Sequence, residues 1–193
     1  GSDVVTSTAS IIGPIFSTSS NLNAGSYAQS ASSLGGSDAG NYTLTAFTTP
    51  TNNYAVGQLA LTGTAIAASS SNYGSPLNPG AVSFGNVVGA DVVTGTVSVN
   101  TTTLSSSGNP VVGSYTQTAG AIGGTDAGNY SFAGYTSASN YSITPLALGL
   151  NLLGQGSKVY DGTTTITLSG IRPTRSGVIS GDAESPDFNS ASG

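Results

Sequence analysis

Chemistry near neutral pH needs a side chain poised to move a proton, attack a carbonyl or hold a metal. This sequence offers few. It has no His and no Cys, so the commonest general base, the thiolate nucleophile and the usual zinc ligands are all missing. A serine nucleophile would need an amine as its base, and Lys158 is the one lysine. The acids stand apart from one another except Asp182, Glu184 and Asp187. That trio could form a carboxylate pair or a weak cation site, but it lies beside Pro186 near the C-terminus, where a solvated loop is the simpler reading. No catalytic residue, cofactor or metal is assigned, and the protein reads as a non-enzyme.

The charge balance narrows the partners. Of the 193 residues, 6 % are charged, against a quarter in ordinary soluble domains. The surface must therefore be wetted by Ser, Thr, Asn and Gly. Lys158, Arg172 and Arg175 are the only cations. Neutralising phosphates takes cations, so nucleic acid is excluded as a partner, and an anionic membrane surface falls for the same reason. No apolar run reaches the 18 residues of a membrane-spanning helix, and no basic stretch precedes an apolar one as in a signal peptide. The absent initiator Met suggests a piece of a longer chain.

Positioning whatever these residues do falls to a repeated framework. GGSDAGNY at 35–42 returns as GGTDAGNY at 123–130. DVVTST at 3–8 returns as DVVTGT at 91–96, and AGSYAQ at 24–29 as VGSYTQ at 112–117. The offset is 88, falling to 87 between Tyr54 and Tyr141 and between QLAL and PLAL. More faintly, SNYGSP aligns with SKVYDG, which sets Tyr73 against Tyr160, and GNVVGAD aligns with GVISGD. Residues 61–147 thus form one complete unit. Residues 1–60 supply the C-terminal part of a unit before it, and 148–193 the N-terminal part of one after it. The period is too long for a solenoid coil and suits a string of small domains.

Within a unit, Gly, Pro and β-branched residues break every helical window. TGTVSVNT alternates with period two, and NYTLTAF, NYSFAGY, ALTGTAIAA and AVSFGNVV are further strand candidates between Gly- and Pro-rich turns. The fold class expected is all-β: tandem Ig-like β-sandwich repeats of about 88 residues, elongated. Asp-x-Gly-x-Tyr ahead of a strand is the spelling of a tyrosine corner, in which the hydroxyl bonds to backbone a few residues upstream. Asp38, Gly40 and Tyr42, and again Asp126, Gly128 and Tyr130, are read as that corner. Gly would supply the tight turn and Asp an Asx-type bond to its own downstream backbone. A calcium loop is the functional alternative, but calcium wants several carboxylates and each loop holds one.

Two further surface roles are open. Asn-Tyr pairs recur, and Tyr faces can stack on sugar rings, so Tyr54 and Tyr141 are candidate glycan contacts; inward packing with a satisfied hydroxyl is the plainer alternative. Asn41, Asn100, Asn129 and Asn140 head N-x-S/T sequons and are candidate glycosylation sites.

The Asp-Ala-Gly-Asn-Tyr corner, the SNYGSPLNPGAVSF and KVYDGTTTITLSG openings and the NYSITPLAL exit together resemble the MBG and YDG repeats of filamentous-haemagglutinin-like, two-partner-secreted bacterial adhesins. The likeness covers essentially the whole chain. YDG is spelled once, at Tyr160-Asp161-Gly162, and is shortened to Tyr73-Gly74 in the central unit. The resemblance implies an extracellular or cell-surface stalk that spaces or presents an adhesive region. Its partners would be adjacent repeats of the same chain or neighbouring copies, with surface glycans as the other option. Some adhesin sandwiches also carry an internal Lys–Asn cross-link; Lys158 would serve, but its counterpart in the central unit is Ser71, so the bond could not be general. An incomplete sandwich exposes a strand edge. Either neighbouring repeats of a long array complete it, or the C-terminal part of one copy docks on the N-terminal part of the next.

Overall fold

The computed structural model describes residues 2–153, 157–166, 172–182 and 191–192. Among them every regular element is a strand, apart from two single 3-10 turns at Ala39–Asn41 and Ala127–Asn129. The chain is all-β. In chain order come β1 (Thr6–Ser7), β2 (Ser10–Ile11), β3 (Gly25–Tyr27), β4 (Gln29–Ala31), β5 (Leu34–Gly35), β6 (Phe47–Thr48), β7 (Tyr54–Val56), β8 (Leu59–Leu61), β9 (Gly63–Ile66) and β10 (Ser69–Asn72). Next are β11 (Val82–Phe84), β12 (Thr94–Val99), β13 (Gly113–Tyr115), β14 (Gln117–Gly123), β15 (Tyr130–Phe132), β16 (Tyr135–Thr136) and β17 (Tyr141–Thr144). Last come β18 (Gly149–Leu153), β19 (Thr165–Ile166), β20 (Arg172–Ser176) and β21 (Ala191–Ser192).

Contacts divide the chain into two compact units, one of residues 1–67, 81–98 and 118–136, the other of 68–80, 99–117 and 137–193. The 61–147 segment sends strands into both, so the units do not follow the repeat boundaries near 60 and 147. In the first unit, β2, β4 and β6 form one sheet and β12, β14 and β16 another. Antiparallel pairs β1–β5, β3–β7 and β9–β11 accompany them, with β8 and β15 pairing in parallel. Tyr27, Leu61, Ile66, Ala119 and Tyr130 are buried there. Phe84 and Phe132 meet edge to face, ring centres 5.1 Å apart at 88°, an arrangement their quadrupoles favour. The predicted alternation of TGTVSV is present in β12, where Gly95, Val97 and Val99 turn inward.

In the second unit β17 is the middle strand of three, with β13 antiparallel on one side and β10 parallel on the other. Tyr141 and Ile143 of β17 are buried. Beside them the fully buried Gln117 accepts from the Gly80 amide at 2.7 Å, donates to Asn140 Oδ1 at 2.8 Å and has its own N–H taken by Ser137 Oγ at 3.0 Å. The strand pair β18–β20 is antiparallel, as is β19–β21.

The sequence echo is an echo of bonds. Gln29 repeats Gln117: its side chain donates to Asn53 Oδ1 at 2.9 Å, and its N–H donates to Thr49 Oγ1 at 3.0 Å. The β3–β7 pairing sets Tyr27 opposite Tyr54, as β13–β17 sets Tyr115 opposite Tyr141. One strand expectation fails. NYSFAGY forms β15, but residues 42–46 of NYTLTAF form no strand. The reason is the partner: β15 pairs with β8, and nothing among the described residues pairs with 42–46.

Gln117→Leu should lower stability by about 2 kcal/mol, because it takes the acceptor from the Gly80 amide and one of the two donors from Asn140 Oδ1. Gln29→Leu, on a half-buried site, should cost less than half as much. Urea unfolding of the two variants checks the contrast.

Candidate functional site

The repeated GG-[ST]-DAGNY stretch builds the same device twice. Its second glycine turns the chain with positive φ, 98° at Gly36 and 105° at Gly124. A Cβ there would also run into the carbonyl oxygen of Val4 or Val92. The chain then makes its 3-10 turn, and the acid that opens the turn reaches across to an earlier segment. Asp38 Oδ2 accepts from the Val4 amide at 2.7 Å and Asp126 Oδ2 from the Val92 amide at 2.8 Å. After the turn, the tyrosine donates to a second carboxylate. Tyr42 Oη bonds Asp3 Oδ2 and Tyr130 Oη bonds Asp91 Oδ2, each at 2.6 Å. Tyr130 Oη also accepts from the Val88 amide at 3.0 Å.

These partners correct the expected corner. Asp38 and Asp126 make no side-chain cap to their own turn; each clamps a segment 34 residues upstream. Tyr42 and Tyr130 bond an acid 39 residues away, not local backbone. Gly40 and Gly128 have ordinary φ and open space where a Cβ would go, so the glycine that the turn requires is Gly36 or Gly124. The local tyrosine corner exists elsewhere. Tyr27 Oη donates to the Asn23 carbonyl at 2.8 Å and Tyr115 Oη to the Val111 carbonyl at 2.5 Å, both four residues upstream as that motif demands. The repeated Gly-Ser-Tyr could have flagged them.

In the first unit a hairpin closes on this device. Phe16 bridges Leu22, Ser17 N–H bonds the Asn21 carbonyl and Ser20 sits at φ 60°. Eighty-eight residues on, Leu104 bridges Pro110 and Gly108 takes the left-handed position at 81°. The first hairpin gives its amides to the acids: Thr18 N–H to Asp126 Oδ1 and Ser19 N–H to Asp91 Oδ1, both at 3.0 Å. Ser19 Oγ donates to the Val88 carbonyl and accepts from the Ala90 amide, each at 2.8 Å, and the Ala24 amide bonds Asn129 Oδ1 at 2.7 Å. The second hairpin repeats the move in the second unit. Ser107 N–H meets Asp182 Oδ1 at 3.2 Å, and Tyr73 Oη bonds both Asp182 Oδ2 at 2.5 Å and Ser105 Oγ at 2.6 Å.

So many donors favour the charged carboxylates. The Tyr130 hydroxyl, with help from Ser19 and Ser17, brings Asp91 down to about 2. Ser107 and Tyr73 do the same for Asp182, also to about 2. The Val92 and Thr18 amides lower Asp126, and the Val4 amide and Ser37 lower Asp38. Burial and the neighbouring Asp91 push the Tyr130 hydroxyl up. A cation at Asp91 or Asp126 would have to displace donors already in place. No cluster of three metal-binding side chains occurs among the described residues. Asp182 serves the second hairpin, while Glu184 and Asp187 lie outside the described residues. Lys158 pairs with Asp161 at 2.9 Å and donates to Thr163.

The surface candidates separate. Tyr141 is 1 % exposed and its hydroxyl accepts from the Asn78 amide at 3.0 Å, so it cannot present a ring to a sugar; Tyr54 is 44 % exposed. Asn129 Nδ2 donates to Asn23 Oδ1 at 3.0 Å, and Asn140 Oδ1 accepts from Gln117 and Ser137; both asparagines are half-buried. Asn41 and Asn100 are exposed. Compared with known proteins, the chain matches no family model, no curated sequence and no solved structure.

Gly124→Ala should destabilise by about 2 kcal/mol or more, combining backbone strain with a collision. Gly128→Ala should be near neutral, and thermal melts of the pair test which glycine the turn needs. The depressed acids also set an acid limit. Their folded values lie below the unfolded value of about 3.9, so their contribution is complete above roughly pH 5 and is lost as pH falls through about 2. The melting temperature should fall across that window, and less steeply in Asp91→Asn; a circular-dichroism melt series measures it.

Proposed function

We propose that the chain is a run of tandem Ig-like β-sandwich repeats of about 88 residues from a large bacterial cell-surface or secreted adhesin. Its work is mechanical: to extend an adhesive region away from the cell. It has no reaction centre, and its partners are adjacent repeats.

The observation that supports this most is the hairpin-on-acid lock, built twice from matching parts. Ser17, Ser19 and Asp91 make it once; Ser105, Ser107 and Asp182 make it again. A stalk needs such recurrence, since each repeat must meet the next in the same way. Composition suits the task. Few charges make the surface indifferent to salt, and a chain without Cys or Met has no readily oxidised sulfur. The resemblance to MBG and YDG repeats supports the extracellular setting.

Small-angle scattering tests the reading. A compact chain of this length would have a radius of gyration of about 16 Å. The expected value is well above that, together with no binding on a glycan array. A compact radius with saturable sugar binding lost in Tyr54→Ala would replace the stalk by a carbohydrate-binding module.

A further inference from the structure

The repeat supplies an internal control for what its first copy lacks. In the second unit β17 is flanked on both edges, by β13 and by β10. Its counterpart in the first unit, β7, pairs only with β3, and its other edge meets no strand among the described residues. The exposures of Tyr141 and Tyr54 given above reflect that difference.

A second vacancy lies beside that edge. A cavity of about 260 Å³ in the first unit is lined by Ser17, Leu22, Val56, Leu59, Asp91 and Tyr130, among others. At the matching place in the second unit sits Tyr73, the residue after β10, with its hydroxyl on Ser105 and Asp182. Ser17 and Asp91 are the counterparts of those two. Tyr130 already gives Asp91 the hydroxyl that Tyr73 gives Asp182, but the space beside Ser17, where Tyr73 meets Ser105 in the other copy, is open.

The chain carries a tyrosine after a segment that matches β10, and that segment is unpaired. Residues 157–160 stand 87 after Ser70–Tyr73, and they lie outside any strand. Val159 is 88 % exposed and Tyr160 93 % exposed, a large apolar area to leave in water. We propose that residues 157–160 of one copy add as a parallel strand to the open edge of β7 in a second copy, with Tyr160 filling the cavity beside Asp91.

The β10–β17 pairing dictates the register. Ser71 faces Ile143, Asn72 faces Thr144, and the Tyr73 amide bonds the Thr144 carbonyl. Transposed, Lys158 faces Val56, Val159 faces Gly57, and the Tyr160 amide bonds the Gly57 carbonyl. Asp91 already takes donors from Tyr130, Ser19 and Ser17, so the incoming hydroxyl shares Ser17 Oγ and that carboxylate, as Tyr73 shares Ser105 and Asp182. Lys158 takes the place of Ser71, whose buried hydroxyl has no partner, and its long stem can carry the ammonium to the rim. Donor and acceptor are different surfaces of one chain, so the contact is head-to-tail and propagates. This inference rests on the repeat geometry and not on the adhesin reading.

Sedimentation velocity of the full chain over a wide concentration range tests it. The expected result is a ladder of oligomers that grows with concentration. Tyr160→Ala, at an exposed position, should leave monomers only, and Tyr160→Phe should weaken association roughly tenfold by losing a hydrogen bond to a charged group. Ala55→Pro should also give monomers, since it removes an edge N–H that the incoming strand needs while edge strands tolerate Pro. An equimolar mixture of Tyr160→Ala and Ala55→Pro keeps one good acceptor and one good donor, and should stop at a one-to-one dimer. A wild-type chain that stays monomeric throughout would overturn the proposal and leave the cavity to a neighbouring repeat of the same chain. Oligomers that persist in Tyr160→Ala would overturn it too.

Discussion

A buried carboxylate without a cation is the constraint on which this protein turns. Eight acids share three cations, so ion pairs cannot neutralise most of them. A charge taken out of water is tolerable only if hydrogen bonds replace its hydration. Here the replacements are backbone amides and tyrosine hydroxyls. Asp126 is buried, and it holds the Val92 and Thr18 amides. Asp91 holds an amide and a hydroxyl. Each acid thereby ties together segments far apart in the chain, doing in a Cys-free protein what a disulfide does elsewhere.

That economy explains the glycines, the serines and the low charge together. Amides can point at one oxygen only if the chain turns sharply beside it, and Gly124 makes that turn where any side chain would strike Val92. Ser19 satisfies the carbonyl and amide that the hairpin would otherwise strand. A lysine near Asp91 would compete with these donors for the same lone pairs.

Much of this was legible in the sequence, and the rest was hidden for identifiable reasons. The 88-residue echo located both copies of the device, and period-two alternation located β12. The echo also marked Asp, Gly and Tyr as parts of one structure. It could not name their partners, because Asp126 to Val92 and Tyr130 to Asp91 are contacts over 34 and 39 residues, and spacing rules reach only a turn or two. Motif knowledge misled in one respect: it assigned the local hydroxyl bond to the tyrosine after Asp-x-Gly, whereas Gly-Ser-Tyr makes it. Nor could a single spelling reveal that Gly36 and Gly124 carry the positive φ while Gly40 and Gly128 do not.

The two copies also separate what local sequence decides from what pairing decides. The turn, its carboxylate bond and its tyrosine bond form alike in both, so they follow from the eight residues and the segment they clamp. Burial and strand state do not. Tyr130 is 3 % exposed and begins β15; Tyr42, in the same spelling, is 49 % exposed and lies in no strand. What differs is β8, which lies against the second copy, whereas no strand among the described residues lies against the first. A strand is a relation between two segments, since its backbone groups are satisfied only across the ladder. In both copies the clamp therefore forms from its own residues, while the strand beside it forms only where a partner segment lies against it.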